Sequence, residues 1–450
     1  MQNWKTILQT KTLILLMFMS LSLTACTKDN PTKPEEKTII NTSFAVISDS
    51  HYFKSSLGTS GKAFEQYVVS DRKLLAESQA ISESAIESLK KENVKFVLVS
   101  GDLTKDGEKE SHEAFAKLLG ELKATGKKVI VVPGNHDVNN PHSKKFVGNE
   151  MVPTPSVTPA EFANIYKECG YGDAIARDPN SLSYISEPVP GLWVFALDDC
   201  IYDNNVTEPT TAGRYTDATL AWIKDNLAKA KAQKKMVIGM QHHGLVEHFQ
   251  GQKENPISKD YVIENWKSVA KQFIEGDMKA IFTGHFHAND ITKYSVDNKD
   301  IYDIETGSLV TSPCPYRIVS MTNNSIEVTT KYIEKINYDL KGVDFKTYAA
   351  DFIRLGMLPM VTHVLVNQLG VDKTQAPLIA PLAIAAFMDH YKGDEKMPEP
   401  TKNFIAKLEA SGATDFKTQM IIGIFRSLYN DLNPSDNNVT LQITNTLAKQ

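Results

Sequence analysis

Apolar residues come in short runs, and each run ends in glycine or in polar side chains. Phe44-Ala45-Val46-Ile47, Phe96-Val97-Leu98-Val99 and Val129-Ile130-Val131-Val132 have the length and β-branched content of buried strands. Residues 193–197, 236–238 and 280–282 repeat the pattern. Between these runs, residues 74–91, 112–124 and 220–231 place apolar side chains three or four apart, which predicts helices. Strands alternating with helices predict a layered α/β core. Residues 183–185 and 291–328 read as strand and turn, so mixed sheets are expected. Beyond about residue 339 the spacing turns helical: Phe345, Phe352, Ile353, Met360, Val361 and Leu365 all recur that way. The expected organisation is an α/β domain over 41–338 and a smaller all-α domain over 339–450.

The N-terminus follows a different logic. Lys5 and Lys11 precede an apolar run over 12–23. A run of about twelve residues is too short to span a ~30 Å hydrocarbon core but suits a signal peptide, here residues 1–25. It ends in Leu23-Thr24-Ala25-Cys26, which resembles a bacterial lipobox. That resemblance implies cleavage before Cys26 and lipidation of its thiol. The expected protein is a membrane-anchored lipoprotein of the cell envelope, on the periplasmic or extracellular face, with 26–40 as a polar linker. No other segment reads as long and apolar enough to cross a bilayer. A net charge of −5 argues against bulk nucleic-acid binding. Cys169, Cys200 and Cys314 form no C-x-x-C pair, so they are read as ordinary thiols.

Five of the apolar runs end in residues able to bind metals. The ends are Asp49-Ser50-His51, Gly101-Asp102, Gly134-Asn135-His136-Asp137, His242-His243 and Gly284-His285-Phe286-His287. Singly, each could be a turn or a cap. Together, beyond the carboxyl ends of strands where α/β sheets build their sites, they predict one convergent centre.

The order D-x-H, G-D, G-N-H-D, strand-end His and G-H-x-H resembles the calcineurin-like metallophosphoesterase superfamily. The resemblance implies an α/β/β/α sandwich and two metal ions. It implies that Asp49, His51, Asp102 and His287 hold one ion, and that Asp102, Asn135, His242 and His285 hold the other, with Asp102 shared. His136 would give a proton to the leaving oxygen, with Asp137 or Asp106 behind it. The family's fourth block reads H-x-P. Here it is His242-His243-Gly244, which leaves both histidines open. Ser50 to Phe53, 101–107 and 135–141 also resemble a subgroup of secreted bacterial lipoproteins, regarded as cyclic-nucleotide-phosphodiesterase-like and carrying a helical C-terminal domain. Lys105 stands where purple acid phosphatases carry a tyrosine ligand, and Lys105-Asp106-Gly107 lacks the arginine of Ser/Thr protein phosphatases, so neither type is expected.

Elementary chemistry agrees with such a centre. Two metals ~3.5–4 Å apart clamp the attacking and leaving oxygens of an in-line displacement at phosphorus, and a carboxylate between them offsets their repulsion. Only two of the implied ligands are anionic, so two divalent ions would leave the site at about +2, which attracts a phosphate ester. Ligation by His, Asp and Asn without thiolate suits Mn, Fe or Zn. The expected function is a dinuclear phosphodiesterase, with a metal-bridging hydroxide attacking a small phosphate ester. Alternatives are a phosphomonoesterase or broad phosphate scavenger, and a non-catalytic binding protein on the same fold. Tyr52 and Phe53 either stack on a base or pack under the 54–71 loop. His142 and Arg214 either meet phosphate or lie solvated.

Overall fold

The computed structural model describes residues 39–443, apart from 70, 256–257 and 413–414. The expected signal peptide, nearly all of the linker and Cys26 lie outside the described residues.

The short apolar runs are strands. The first sheet contains β1 (Asn41–Ile47), β2 (Phe96–Ser100) and β3 (Lys128–Val132) in parallel. A hairpin of β4 (Lys144–Val147) and β5 (Glu150–Pro153) follows outside both large sheets. The second sheet contains β6 (Ala176–Arg177), β7 (Tyr184–Val189), β8 (Leu192–Ala196), β9 (Met236–Met240), β10 (Met278–Thr283), β11 (Asp290–Val296) and β12 (Lys299–Glu305). Strands β8, β9, β10 and β12 run parallel, while β11 pairs antiparallel with β12. The chain then returns to the first sheet with β13 (Pro315–Thr322) and β14 (Ser325–Tyr332), so both sheets are mixed as expected.

Side-chain alternation sorts each strand of the second sheet between two cores. Leu192, Val194 and Ala196, then Ile238 and Met240, then Ala280 and Phe282 face the first sheet. Trp193 and Phe195, Val237 and Ile281 face outward, onto the helices Asp217–Ala232 and Trp266–Glu275. The helices Ser78–Lys91 and Lys109–Ala124 cover the first sheet, with Ile81, Ile86, Phe115 and Leu119 buried. Phe44 stacks on Phe96 at 4.6 Å and meets Phe282 edge-on at 5.2 Å, fastening sheet to sheet. The result is the expected α/β/β/α sandwich.

The C-terminal region is helical over Phe345–His363, Ala376–Lys392, Glu399–Ala410 and Phe416–Leu428. Asp344 and Asp415 start two of these helices by accepting hydrogen bonds from the backbone N–H of Thr347 and Thr418. Ile353, Met357, Ile384 and Phe425 form a separate apolar core. That core also takes Ala288 and packs against Phe286, so the helices dock on the loop that carries His285 and His287. Two expectations need correction. The run Phe345–Gln368, 24 residues at hydropathy 1.4, is long and apolar enough to cross a membrane by length and composition. One face of it, with Ile353, Met357 and Val361, packs into the helical core. The last described element is also not a helix: β15 (Asn438–Gln442) pairs antiparallel with β14 at the edge of the first sheet.

The lead-in to β15 concentrates acids. Asp436 accepts hydrogen bonds from the backbone N–H of Ile291 and Asp394. Burial, together with nearby Asp290, pushes Asp436 up to about 9, and burial with Glu395 and Asp290 pushes Asp431 up to about 7. Both carboxyls are raised above the unfolded value, so they stabilise the fold at low pH and lose that contribution as pH rises toward these values. Melting temperature is expected to decline between pH 5 and 9, and Asp431→Asn should flatten the decline. An unchanged slope in thermal melts of the variant would refute this.

Candidate dinuclear metal site

All five motifs sit just beyond strand ends: Asp49 after β1, Asp102 after β2, Asn135 after β3, His242 after β9 and His285 after β10. Five donor residues hold the left-handed backbone: Asp49 (φ 50), His51 (φ 35), Asp102 (φ 47), His285 (φ 74) and His287 (φ 68). Such φ values are uncommon for residues with a side chain and concentrate at functional sites. Glycines let the loops approach one another. A Cβ on Gly134 would lie 2.2 Å from the Asp102 backbone nitrogen, and one on Gly284 would lie 1.9 Å from Ser48 Oγ.

The side chains converge on Asp102. Its Oδ2 lies 3.4 Å from His242 Nε2, 3.5 Å from His51 Nε2 and 4.0 Å from His136 Nε2. On one side, Asp49 Oδ1 is 3.4 Å from His287 Nε2 and 3.9 Å from His51 Nε2, and the two imidazole Nε2 atoms are 3.3 Å apart. On the other side, His242 Nε2 is 3.2 Å from Asn135 Oδ1, and ligand atoms of Asp102, His242 and His285 lie within 4.8 Å of one another. The structure thus brings together all seven residues expected as ligands, with His136 beside them.

The orphaned atoms test whether metal ions fit. Asp49 Oδ1 and His285 Nε2 are buried without a hydrogen-bond partner. Buried polar atoms are rarely left so, because the loss of water is costly. His51 Nδ1 is a further buried orphan, while other atoms of the donors are tied down: Ser48 Oγ and the His285 N–H donate to Asp49 Oδ2, and His242 Nδ1 donates to the Ser100 carbonyl. His287 Nδ1 pairs with Thr311 Oγ1. For His242 and His287 the second nitrogen fixes the ring and leaves Nε2 for a cation.

Protonation follows the same lines. Burial, aided by Lys73, holds His51 well below its usual value. Burial, with His243 and His242 alongside, does the same to His285. Burial would also depress His242, but the Asp102 carboxylate overrides it and pushes His242 up to about 10. A proton must leave this imidazole before it can ligate, so metal uptake is coupled to proton release.

The open choices are resolved by geometry. His243 turns away: Nε2 donates to the Thr211 carbonyl at 2.7 Å, and Nδ1 is 3.2 Å from Asp199 Oδ2. His136 Nδ1 pairs with Asp106 Oδ1 at 2.9 Å. Asp137 instead accepts from the backbone N–H of Leu103, Thr104 and Gly134, holding the second and third loops together. Lys105 is buried between Asp106 and Glu108, 4.6 Å from the centre of the Tyr67 ring. Burial alone would raise Asp106, but Lys105 and His136 hold it far down, so it stays an anion behind His136.

Tyr52 and Phe53 are buried, Tyr52 against Phe115 and Phe53 among Phe64 and Phe146, so neither reaches a substrate. His142 pairs with Glu208 at 3.1 Å, and Arg214 lies half exposed near Glu264. Other residues carried no motif. Asp199 accepts from the backbone N–H of His243 and steadies the end of β9. Arg72, Lys73 and Tyr261 line the cavity of about 660 Å³ that opens onto the donors. The Asp198-Asp199 pair after a strand was the visible signal for the first; nothing in the sequence marked the others.

A comparison with curated proteins returned no match. Among solved structures, the fold is similar to a dimetal phosphatase from Danio rerio, at 14% identity and a TM-score of 0.46, covering 65% of this chain and 96% of that one. It is also similar to a purple acid phosphatase from yellow lupin (Lupinus luteus) seeds, at 12% identity and a TM-score of 0.40, covering 66% and 52%. The family model described as calcineurin-like phosphoesterase matches residues 42–289, which contain every strand-end motif that meets at Asp102. The chain belongs to the calcineurin-like phosphoesterase family.

Proposed function

We propose that the protein is a metal-dependent phosphodiesterase, anchored to the cell envelope through a lipid on Cys26. The observation that carries the reading is one carboxylate oxygen, Asp102 Oδ2, within 3.5 Å of imidazoles from two donor clusters. Asp49, His51, Asp102 and His287 would hold one metal ion, and Asp102, Asn135, His242 and His285 the other. Bound there, such ions polarise phosphoryl oxygens and acidify water. The chain's own residues do the rest. His136 presents Nε2 to the cavity while Asp106 takes the Nδ1 proton in a hydrogen bond. That fixes the ring and favours its protonated form. When water adds to phosphorus it gives up one proton to solvent, and as the ester P–O bond breaks the Nε2 proton passes to the departing alkoxide. The cavity, at about 660 Å³, is far larger than a phosphate ion and has room for organic groups on both ester oxygens, which favours a diester over a monoester. The cyclic-nucleotide substrate rests on the family subgroup's resemblance alone.

The test is hydrolysis of bis(p-nitrophenyl) phosphate against p-nitrophenyl phosphate with added Mn. Faster turnover of the diester is expected. Preference for the monoester would replace the diesterase with a phosphatase. No metal-dependent release from either ester would leave a binding protein. In the same assay His136→Ala should lower kcat by roughly 10²–10⁴-fold, the usual range for a lost general acid. Asp106→Asn, which keeps the ring but loses the charge behind it, should cost about 10–100-fold. Equal kcat in wild type and His136→Ala would remove the proton donor from the mechanism.

A further inference from the structure

One wall of the cavity is cationic and is not part of the donor set. Arg72 and Lys73 come from the segment leading to the helix Ser78–Lys91. Arg72 Nη1 donates to Tyr391 Oη at 2.7 Å, across 319 residues of sequence. Tyr261 lines the same cavity beside Arg72. Tyr391 is buried and lies in the helix Ala376–Lys392, so the C-terminal region sets the position of this arginine. That partner is a phenol and brings no carboxylate to the guanidinium. Among the described residues, no carboxylate lies within 4 Å of the guanidinium. The acids of the same cavity are engaged elsewhere: Asp71 lies 3.9 Å from Lys73 Nζ, and Glu208 pairs with His142.

Arg72 shares the cavity with the donors without being one of them. Tyr261 packs on His285 with ring centroids 4.7 Å apart, and Tyr261 and Arg72 line the cavity together with the donor imidazoles of His285 and His287. A second anion on the same molecule as a phosphoryl group held at the donors would meet Arg72. A fixed guanidinium presents paired donors that match the oxygens of phosphate or carboxylate.

We infer that Arg72, positioned by Tyr391, forms an anion subsite, so that the substrate is a phosphate ester bearing a second anionic group apart from the scissile one. This deepens the phosphoesterase reading and rests on it. Tyr391 is a positioning residue; Arg72 touches the ligand.

The test compares p-nitrophenyl diesters on the metal-loaded protein. Thymidine 5′-(p-nitrophenyl phosphate) has no second anion, its 3′-phosphorylated form adds a phosphate, and the p-nitrophenyl phosphodiester of glycolic acid adds a carboxylate. Wild type is expected to prefer one doubly anionic ester by at least tenfold in kcat/KM, and which one assigns the anion. Arg72→Gln should shrink that preference at least fivefold. Tyr391→Phe should raise KM for the preferred ester more than it changes kcat. Calorimetric titration with thymidine 3′,5′-bisphosphate and thymidine 5′-phosphate reads the subsite without turnover. The bisphosphate should bind at least tenfold tighter to wild type, and Arg72→Gln should lose most of that margin. Equal affinities in wild type, or a margin untouched by Arg72→Gln, would overturn the subsite. Absence of turnover with the tenfold margin intact would sink only the enzymatic reading.

Discussion

Asp102→Ala is expected to abolish metal-dependent hydrolysis, with kcat falling by about a thousandfold or more. The size follows from what the carboxylate does. Its Oδ2 is the closest anion to both His242 and His51, and its Oδ1 accepts the His136 backbone N–H at 2.9 Å. The hydrogen bond is worth only about 0.5–1.5 kcal/mol, at most about tenfold in rate. Charge stabilisation by a metal pair is worth several kcal/mol, and each 1.36 kcal/mol is tenfold. The electrostatic part must therefore dominate. Asp102→Asn isolates it, because the amide oxygen can still accept the His136 N–H. The asparagine variant should be nearly as inactive as the alanine variant and should bind less than the wild-type amount of metal by elemental analysis. Activity within tenfold of wild type would mean that this carboxylate does not serve two ions.

Gly134→Ala is expected to damage stability and activity together. The added methyl would sit 2.2 Å from both the backbone nitrogen and Oδ1 of Asp102. Backbone cannot swing away as a long side chain can, so the third loop must retreat from the second. Overpacking of this kind costs about 1–3 kcal/mol. The retreat also moves Asn135 and His136 away from Asp102. A lower melting temperature, lower metal content and at least a tenfold loss in kcat should appear in one variant. Gly120→Ala is the control: it is exposed within the helix Lys109–Ala124, nothing lies within 4 Å of the new methyl, and alanine is the better helix former by about 1 kcal/mol. That variant should melt slightly higher with full activity. A Gly134→Ala protein that behaves like Gly120→Ala would show that the loops do not need their close contact.

The donor residues were legible because each motif ends a run of buried β-branched residues, and a strand can place its last residue in only one direction. Pairs of adjacent candidates were not separable that way. His242 and His243 differ by half a strand period, and only the partners Ser100, Thr211 and Asp199 fix which one faces Asp102. Asp106 and Asp137 are each close in sequence to a motif, yet one bonds an imidazole and the other the backbone of two loops. Arg72 and Tyr391 could not be joined by any local rule, since their contact depends on how a helical region docks 319 residues away. The last strand was hidden for a related reason. Asn438–Gln442 is short, half exposed and preceded by helices, and only the open edge of β14 makes it a strand.

That edge pairing has a mechanical consequence. The helices between Phe345 and Leu428 leave the sandwich after β14 and rejoin it at β15, so they are moored at both ends to one sheet. A flap on a single hinge could swing clear of the cavity; a span tethered at each bank can only sag or twist. Of the residues that line the cavity, Gln66 and Glu208 are exposed and lie outside those helices, which leaves that side for a bulky ester. Cutting the chain before Asn438 would release one mooring, and the grip of Tyr391 on Arg72 would slacken with it.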